Sequence, residues 1–235
     1  MAAAARNGRS GLGPGEPANA VLTFTKPEDP HELTDQKPHL MGLDFVAIDF
    51  ETANPKRASV CQIGLAKVRD GQITKTACEM VTPPRGFTTF HPRNIQVHGL
   101  TPKSIYGAPD WPGILGRLIA FTGDLPLIGH NVAFERSVVV QASEAEGLTA
   151  PDFQYLCSQK LAQTHLPEAG SYKLNLLAEY LGMPVFAHHD AGADAVACAA
   201  LVLKIAEHTG LDDLEQLWPA KPVRAARTNT HWRRN

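Results

Sequence analysis

Four carboxylates in this 235-residue chain sit where hydrophobic patterning leads one to expect apolar side chains. Across residues 43–51 the alternation of a β-strand sends Asp49 and Glu51 to one side and Val46, Ile48 and Phe50 to the other. Two like charges roughly 7 Å apart on a covered strand repel and desolvate each other. If the strand has already ended, the same two acids are merely solvated. Asp194 favours the first reading, because it heads a helical stripe with Cys198, Leu201 and Ile205. Glu135 heads a second stripe with Val138, Val139 and Ala142. A buried carboxylate must be neutralised, paired with a cation or bound to a metal, and few lysines or arginines are in sequence position to pair with these. Hard oxygen ligands without cysteine suit Mg²⁺ or Mn²⁺ better than zinc.

The elements that would carry these acids can be read from periodicity. Strands are expected over residues 43–51, 60–68 and 74–81, with Asp70-Gly71 as a hairpin turn between the last two. Residues 83–108 read as a long irregular connection. A helix (111–121), a short strand (125–128), a helix (132–146) and a strand (153–157) follow. Helices over 158–165, 173–181 and 190–208 complete the series, with Asp190 as the last N-cap. Three meandering strands followed by alternating helices and strands predict an α/β fold: a mixed sheet with helices on both faces.

Charge and composition set the frame. Residues 1–42, rich in Gly, Pro and mixed charge, are expected to be a flexible lead-in. Residues 43–208 hold the domain. Residues 209–235 form a tail whose last twenty residues carry five basic groups and no acid. The whole chain has a net charge of −2, which excludes a globally basic nucleic-acid coat. Cys61, Cys78, Cys157 and Cys198 are widely separated, which argues against a zinc knuckle or a disulfide-stapled secreted domain. With no run long enough for a membrane helix and no apolar leader, the cytoplasm is the default location.

Order and spacing together resemble the DEDDh family of 3′→5′ exonucleases, which includes the proofreading epsilon subunit of DNA polymerase III and has a ribonuclease H-like fold. Residues 45–52 (FVAIDFET) resemble its first motif, 129–135 (GHNVAFE) its second, and His189 followed by Asp194 its third. The resemblance runs from about residue 43 to 208. It implies a phosphodiester hydrolase with two Mg²⁺ or Mn²⁺ ions ligated by Asp49, Glu51, Glu135 and Asp194. It makes His189 the general base, and implies substrate contacts from Phe50, Thr52, His98, Asn131 and Phe134. Single-stranded DNA or a frayed 3′ end is the implied substrate, with a DNA polymerase as a candidate partner. One position departs from the family: it has aspartate where this chain has Glu135, one methylene longer.

Two alternatives stay open on sequence. One keeps the chemistry and changes the substrate to short RNA, since nothing visibly reads the 2′-OH. The other is a catalytically weak module that binds nucleic acid or a polymerase, motivated by Glu135 and the flanking segments. His188, beside the implied base, has no support from spacing. His98 could equally touch a nucleotide or cap a turn.

Overall fold

Strands buried on both faces build the centre of a computed structural model that describes residues 42–218. The expected lead-in, up to residue 41, and the tail's basic residues from Lys221 to Arg234 lie outside the described residues. Strand β1 (Phe45–Thr52) pairs antiparallel with β2 (Val60–Arg69), and β2 with β3 (Gln72–Met80). Asp70 and Gly71 turn the second hairpin with φ of +48° and +69°, the double left-handed geometry that an Asp-Gly pair adopts readily.

The chain then crosses over. Helices α1 (Pro92–His98) and α2 (Trp111–Thr122) lead to β4 (Leu127–Gly129), which runs parallel to β1. After α3 (Ala133–Ala145), β5 (Tyr155–Cys157) joins parallel to β4. The sheet order is β3-β2-β1-β4-β5. Helices α4 (Ser158–His165), α5 (Leu174–Tyr180), α6 (Ala191–Thr209) and α7 (Leu214–Leu217) follow.

Each face of the sheet buries its own core. Val46, Ile48 and Phe50 pack with Ile114 and Leu118 of α2 and Val138 and Val139 of α3. Phe45 and Ala47 pack with Leu201, Val202 and Ile205 of α6, Leu161 of α4 and Leu177 of α5. Truncating a buried leucine such as Leu201 to alanine would cost about 2–5 kcal/mol. The mixed α/β sheet with helices on both faces is thus present as expected. Two elements depart from expectation. The connection over 83–108 contains α1, a helix with proline in its first turn and no buried residue. Beyond residue 208, Leu217 is buried and Trp218 donates its indole N–H to the Cys157 carbonyl at 3.1 Å.

This topology places the carboxyl ends of β1 and β4 side by side, where open α/β sheets hold their ligands. Asp49 and Glu51 lie at the end of β1, Glu135 in the first turn of α3, and Asp194 in the first turn of α6.

Candidate active site

Asp49 and Glu51 leave β1 on the face it shares with Phe45 and Ala47, toward α6. The fold brings α6 unusually close at this end. A Cβ at Gly64 of β2 would lie 1.8 Å from the Ala191 carbonyl oxygen, and one at Gly192 would lie 2.8 Å from Cys78 Cβ. Glycine at both positions lets the first turn of α6 rest directly on β2 and β3. Gln62 pins that turn: its Oε1 accepts from Ala191 N at 3.1 Å and its Nε2 donates to Asp190 Oδ2 at 3.2 Å. Asp190 caps the helix by accepting from Ala193 N at 2.9 Å. Asp194, one turn on, is thereby fixed facing β1. One oxygen each of Asp49, Glu51 and Asp194 lies within 4.8 Å of the others.

Two adjacent histidines grip Asp194. The backbone N–H of His189 donates to Oδ2 at 2.7 Å, and His188 Nδ1 lies 2.8 Å from Oδ1. Their rings stack with centroids 3.9 Å apart, and His189 has φ of +69°, a left-handed conformation costly for a residue with a Cβ. Strain of this kind persists only where surrounding contacts over-determine it. Sequence spacing singled out His189 and passed over His188, whose contact with Asp194 depends on how the loop folds back.

Glu135 enters from the opposite side. It is buried, and its Oε2 has no hydrogen-bond partner. Its carboxylate folds against Gly129 of β4 and does not join the cluster of Asp49, Glu51 and Asp194. Burial pushes its carboxyl up to about 8, with its own backbone N–H and the charge of Arg57 pulling the other way. Arg57 itself stacks over the Phe134 ring at 4.2 Å. Burial also raises Glu51 to about 8, reinforced by Asp194 and Asp190. Asp49 lies well above the ordinary carboxylate range through burial and the charges of Glu135, Asp194 and Glu51. A cluster of oxygen donors that raise one another's proton affinity, with one buried oxygen lacking a partner, fits a hard divalent cation.

The cleft over these groups has a volume of about 310 Å³. Phe50 and Phe134 form part of its wall, together with Lys173 and with His130 and Gln159, to which the sequence reading gave no role. Thr52, His98 and Asn131 are not among the lining residues. The Thr52 carbonyl accepts from Asn94 Nδ2 at 2.8 Å and lies 3.2 Å from His98 Nε2. His98 Nδ1 accepts from Leu100 N at 3.0 Å, so both ring nitrogens serve the backbone of the loop. Asn131 is exposed, with φ of +78°, and its carbonyl accepts from Phe134 N at 2.9 Å. His130 bridges Ser158 Oγ and the Tyr172 carbonyl, tying α4 and the loop before α5 to the cleft floor.

Comparison with known proteins agrees with this geometry. The RNase T exonuclease family model matches residues 46–202. The PolC-type DNA polymerase III of Latilactobacillus sakei is 27% identical over 193 residues, covering 80% of this chain and 13% of that much longer protein. Two solved structures share the fold. Exonuclease X in complex with 5′-overhanging duplex DNA is 24% identical at a TM-score of 0.57, covering 71% of this chain and 93% of that one. The nuclease domain of 3′hExo, a DEDDh family member bound to rAMP, is 17% identical at a TM-score of 0.61, covering 70% and 92%. With its family match spanning β1 to α6 and its mixed five-stranded sheet, the chain belongs to the RNase T exonuclease family and has a ribonuclease H-like fold.

Proposed function

We propose that this chain removes nucleotides from the 3′ end of DNA, using Mg²⁺ or Mn²⁺ and His189 as general base. The observation that carries this reading is the convergence of Asp49, Glu51 and Asp194 oxygens beside His189, with the unpartnered Glu135 Oε2 opposite. Asp49 and Asp194 would be the main ligands of the divalent ions, Glu51 would be a further ligand that approaches the terminal 3′-OH, and Glu135 would add a fourth carboxylate. Two divalent ions, when bound, supply activation of water and neutralisation of charge on phosphate and leaving oxygen. The residues do the rest. Asp194, fixed by the two histidines, holds its carboxylate still. The His189 ring, kept neutral by burial and by the neighbouring His188, takes the proton of the attacking water. Water adds to phosphorus as its proton passes to His189, the bond to the 3′ oxygen breaks, that oxygen takes up a proton from solvent to become the new 3′-OH, and a nucleoside 5′-monophosphate leaves. Phe134, partly buried at the cleft, offers an apolar ring against which a terminal base can stack, while Phe50 supports the cleft from the core beneath.

DNA is favoured over RNA by the polymerase relatives and by the DNA-bound exonuclease X. RNA is the second reading, supported by the rAMP-bound relative. The catalytic unit comprises residues 43–208, with Leu217 of α7 packed into its core, and a DNA polymerase is the proposed partner. Among the described residues no helix is long and apolar enough to cross a membrane, and we place the activity in the cytoplasm.

The test is digestion of 5′-labelled single-stranded DNA and matching RNA, read at single-nucleotide resolution in Mg²⁺, Mn²⁺ or EDTA. The expected result is a metal-dependent ladder on DNA that shortens from the 3′ end and is lost in Asp49→Ala. A stronger ladder on RNA would reassign the substrate. No ladder, with nucleic acid still bound in EDTA, would replace the enzyme by a binding module.

A further inference from the structure

Gly129 is the last residue of β4, and its φ is not in the left-handed region, so its backbone would accept an alanine. Its space would not. A Cβ built there lies 2.8 Å from Glu135 Oε2, 2.9 Å from Cδ and 3.1 Å from Cγ. Those atoms are the tip of a flexible side chain, so the fold can absorb the methyl group simply by expelling the carboxylate. Glu135 cannot avoid the encounter by staying where it is, because its buried Oε2 already lies against the β4 backbone without a hydrogen-bond partner. The side chain one methylene longer than aspartate is stored in the notch that the missing Cβ leaves.

We infer that Gly129 is a positioning residue for Glu135: its missing side chain is what lets a glutamate at this place present its carboxylate to a divalent cation. The inference rests on the metal-site reading proposed above. The pair is coupled by volume. A short acid at 135 leaves the notch empty and makes the residue at 129 free to vary, whereas a glutamate demands glycine.

A four-protein cycle tests this: wild type, Gly129→Ala, Glu135→Asp and the double variant. Mn²⁺ affinity is measured by titration calorimetry and turnover on labelled DNA. G129A is expected to fold with an unfolding temperature near that of wild type, since no backbone is displaced. Its Mn²⁺ affinity and turnover should fall about 10–100-fold, as when a group orienting a metal ligand is lost. On the E135D background the same alanine should carry no further penalty. Equal Mn²⁺ affinity and turnover in wild type and G129A would overturn the assignment, as would a G129A penalty of the same size on both backgrounds, which would mean general damage to β4. A wild-type chain that binds no Mn²⁺ would overturn the metal site itself, and this inference with it. That outcome is distinct, because it is read on the wild type before any variant is compared.

Discussion

His189 holds Asp194 through its backbone and not through its ring: the N–H donates to Oδ2 at 2.7 Å, while the imidazole stacks on His188. The positioning of the carboxylate and the proposed proton transfer are therefore separable by substitution. Asparagine is the informative replacement, because it tolerates the +69° φ at this position better than alanine and has no basic nitrogen. His189→Asn should lower turnover by about 10²–10⁴-fold while Mn²⁺ affinity stays close to wild type. The wild-type rate should also hold below the ordinary histidine range before falling in acid, since burial and His188 lower the His189 pKa. The variant should lack that acid limb. Unchanged turnover in His189→Asn would remove the ring from the reaction.

The approach of α6 to β2 is the second dependence. A Cβ at Gly64 meets the backbone carbonyl of Ala191 at 1.8 Å, and backbone cannot swing aside as a side-chain tip can. Gly64→Ala must displace the start of α6, carrying Asp190 and Asp194 with it. Overpacking of this kind costs about 1–3 kcal/mol, a loss of several degrees in unfolding temperature for a domain of this size. Turnover should fall further than stability accounts for, measured at a temperature where the variant is fully folded. A fully active, equally stable variant would show that Asp194 does not depend on this contact.

Local pattern carried most of this fold. The alternation in β1, the Asp-Gly turn and the stripes headed by Glu135 and Asp194 are each written within a few consecutive residues, and each element formed where expected. The helix α1 was not legible, because with no buried residue it has no apolar period to read; His91 and Pro92 start it. The four-residue α7 is too short to show a period at all. At the site, residue types and spacing pointed to the acids that converge, while their supports stayed hidden. Gln62 lies 128 residues from Asp190, and the notch at Gly129 is an absence of atoms with no sequence signature. His188 and His189 are the same residue type side by side, and only the turn at His189 decides which ring faces Asp194.

Asp49 is a stability liability without its cation. It is raised by burial first and then by Glu135, Asp194 and Glu51, all of the same sign. Asp49→Asn removes one member of a repulsive group and keeps its shape, so the metal-free protein should unfold a few degrees higher than wild type. The same change should abolish turnover and most of the stabilisation by Mn²⁺. Calorimetry of both proteins in EDTA and in Mn²⁺ checks this; a variant less stable than wild type in EDTA would mean that Asp49 is held by favourable contacts and not by the fold around it.

The same carboxyls make stability depend on pH in a sense opposite to that of ordinary surface acids. Glu51 and Glu135 are both raised to about 8 from an ordinary value of 4.5. Between those limits the folded state keeps protons that the unfolded state releases, so the metal-free protein loses stability as pH rises through this window. A bound divalent cation replaces those protons and removes the repulsion, and the cation must displace fewer of them as pH rises. The gain in unfolding temperature on adding Mg²⁺ or Mn²⁺ should therefore widen from pH 5.5 to pH 8.5, measured by thermal unfolding with EDTA as the reference. Glu135→Gln should partly flatten the metal-free trend, since it removes one of the raised carboxyls and leaves Glu51 and Asp49. A metal-induced gain that stays constant across this range would mean that both glutamates are already ionised in the absence of the ion, and that the fold neutralises them by some other contact.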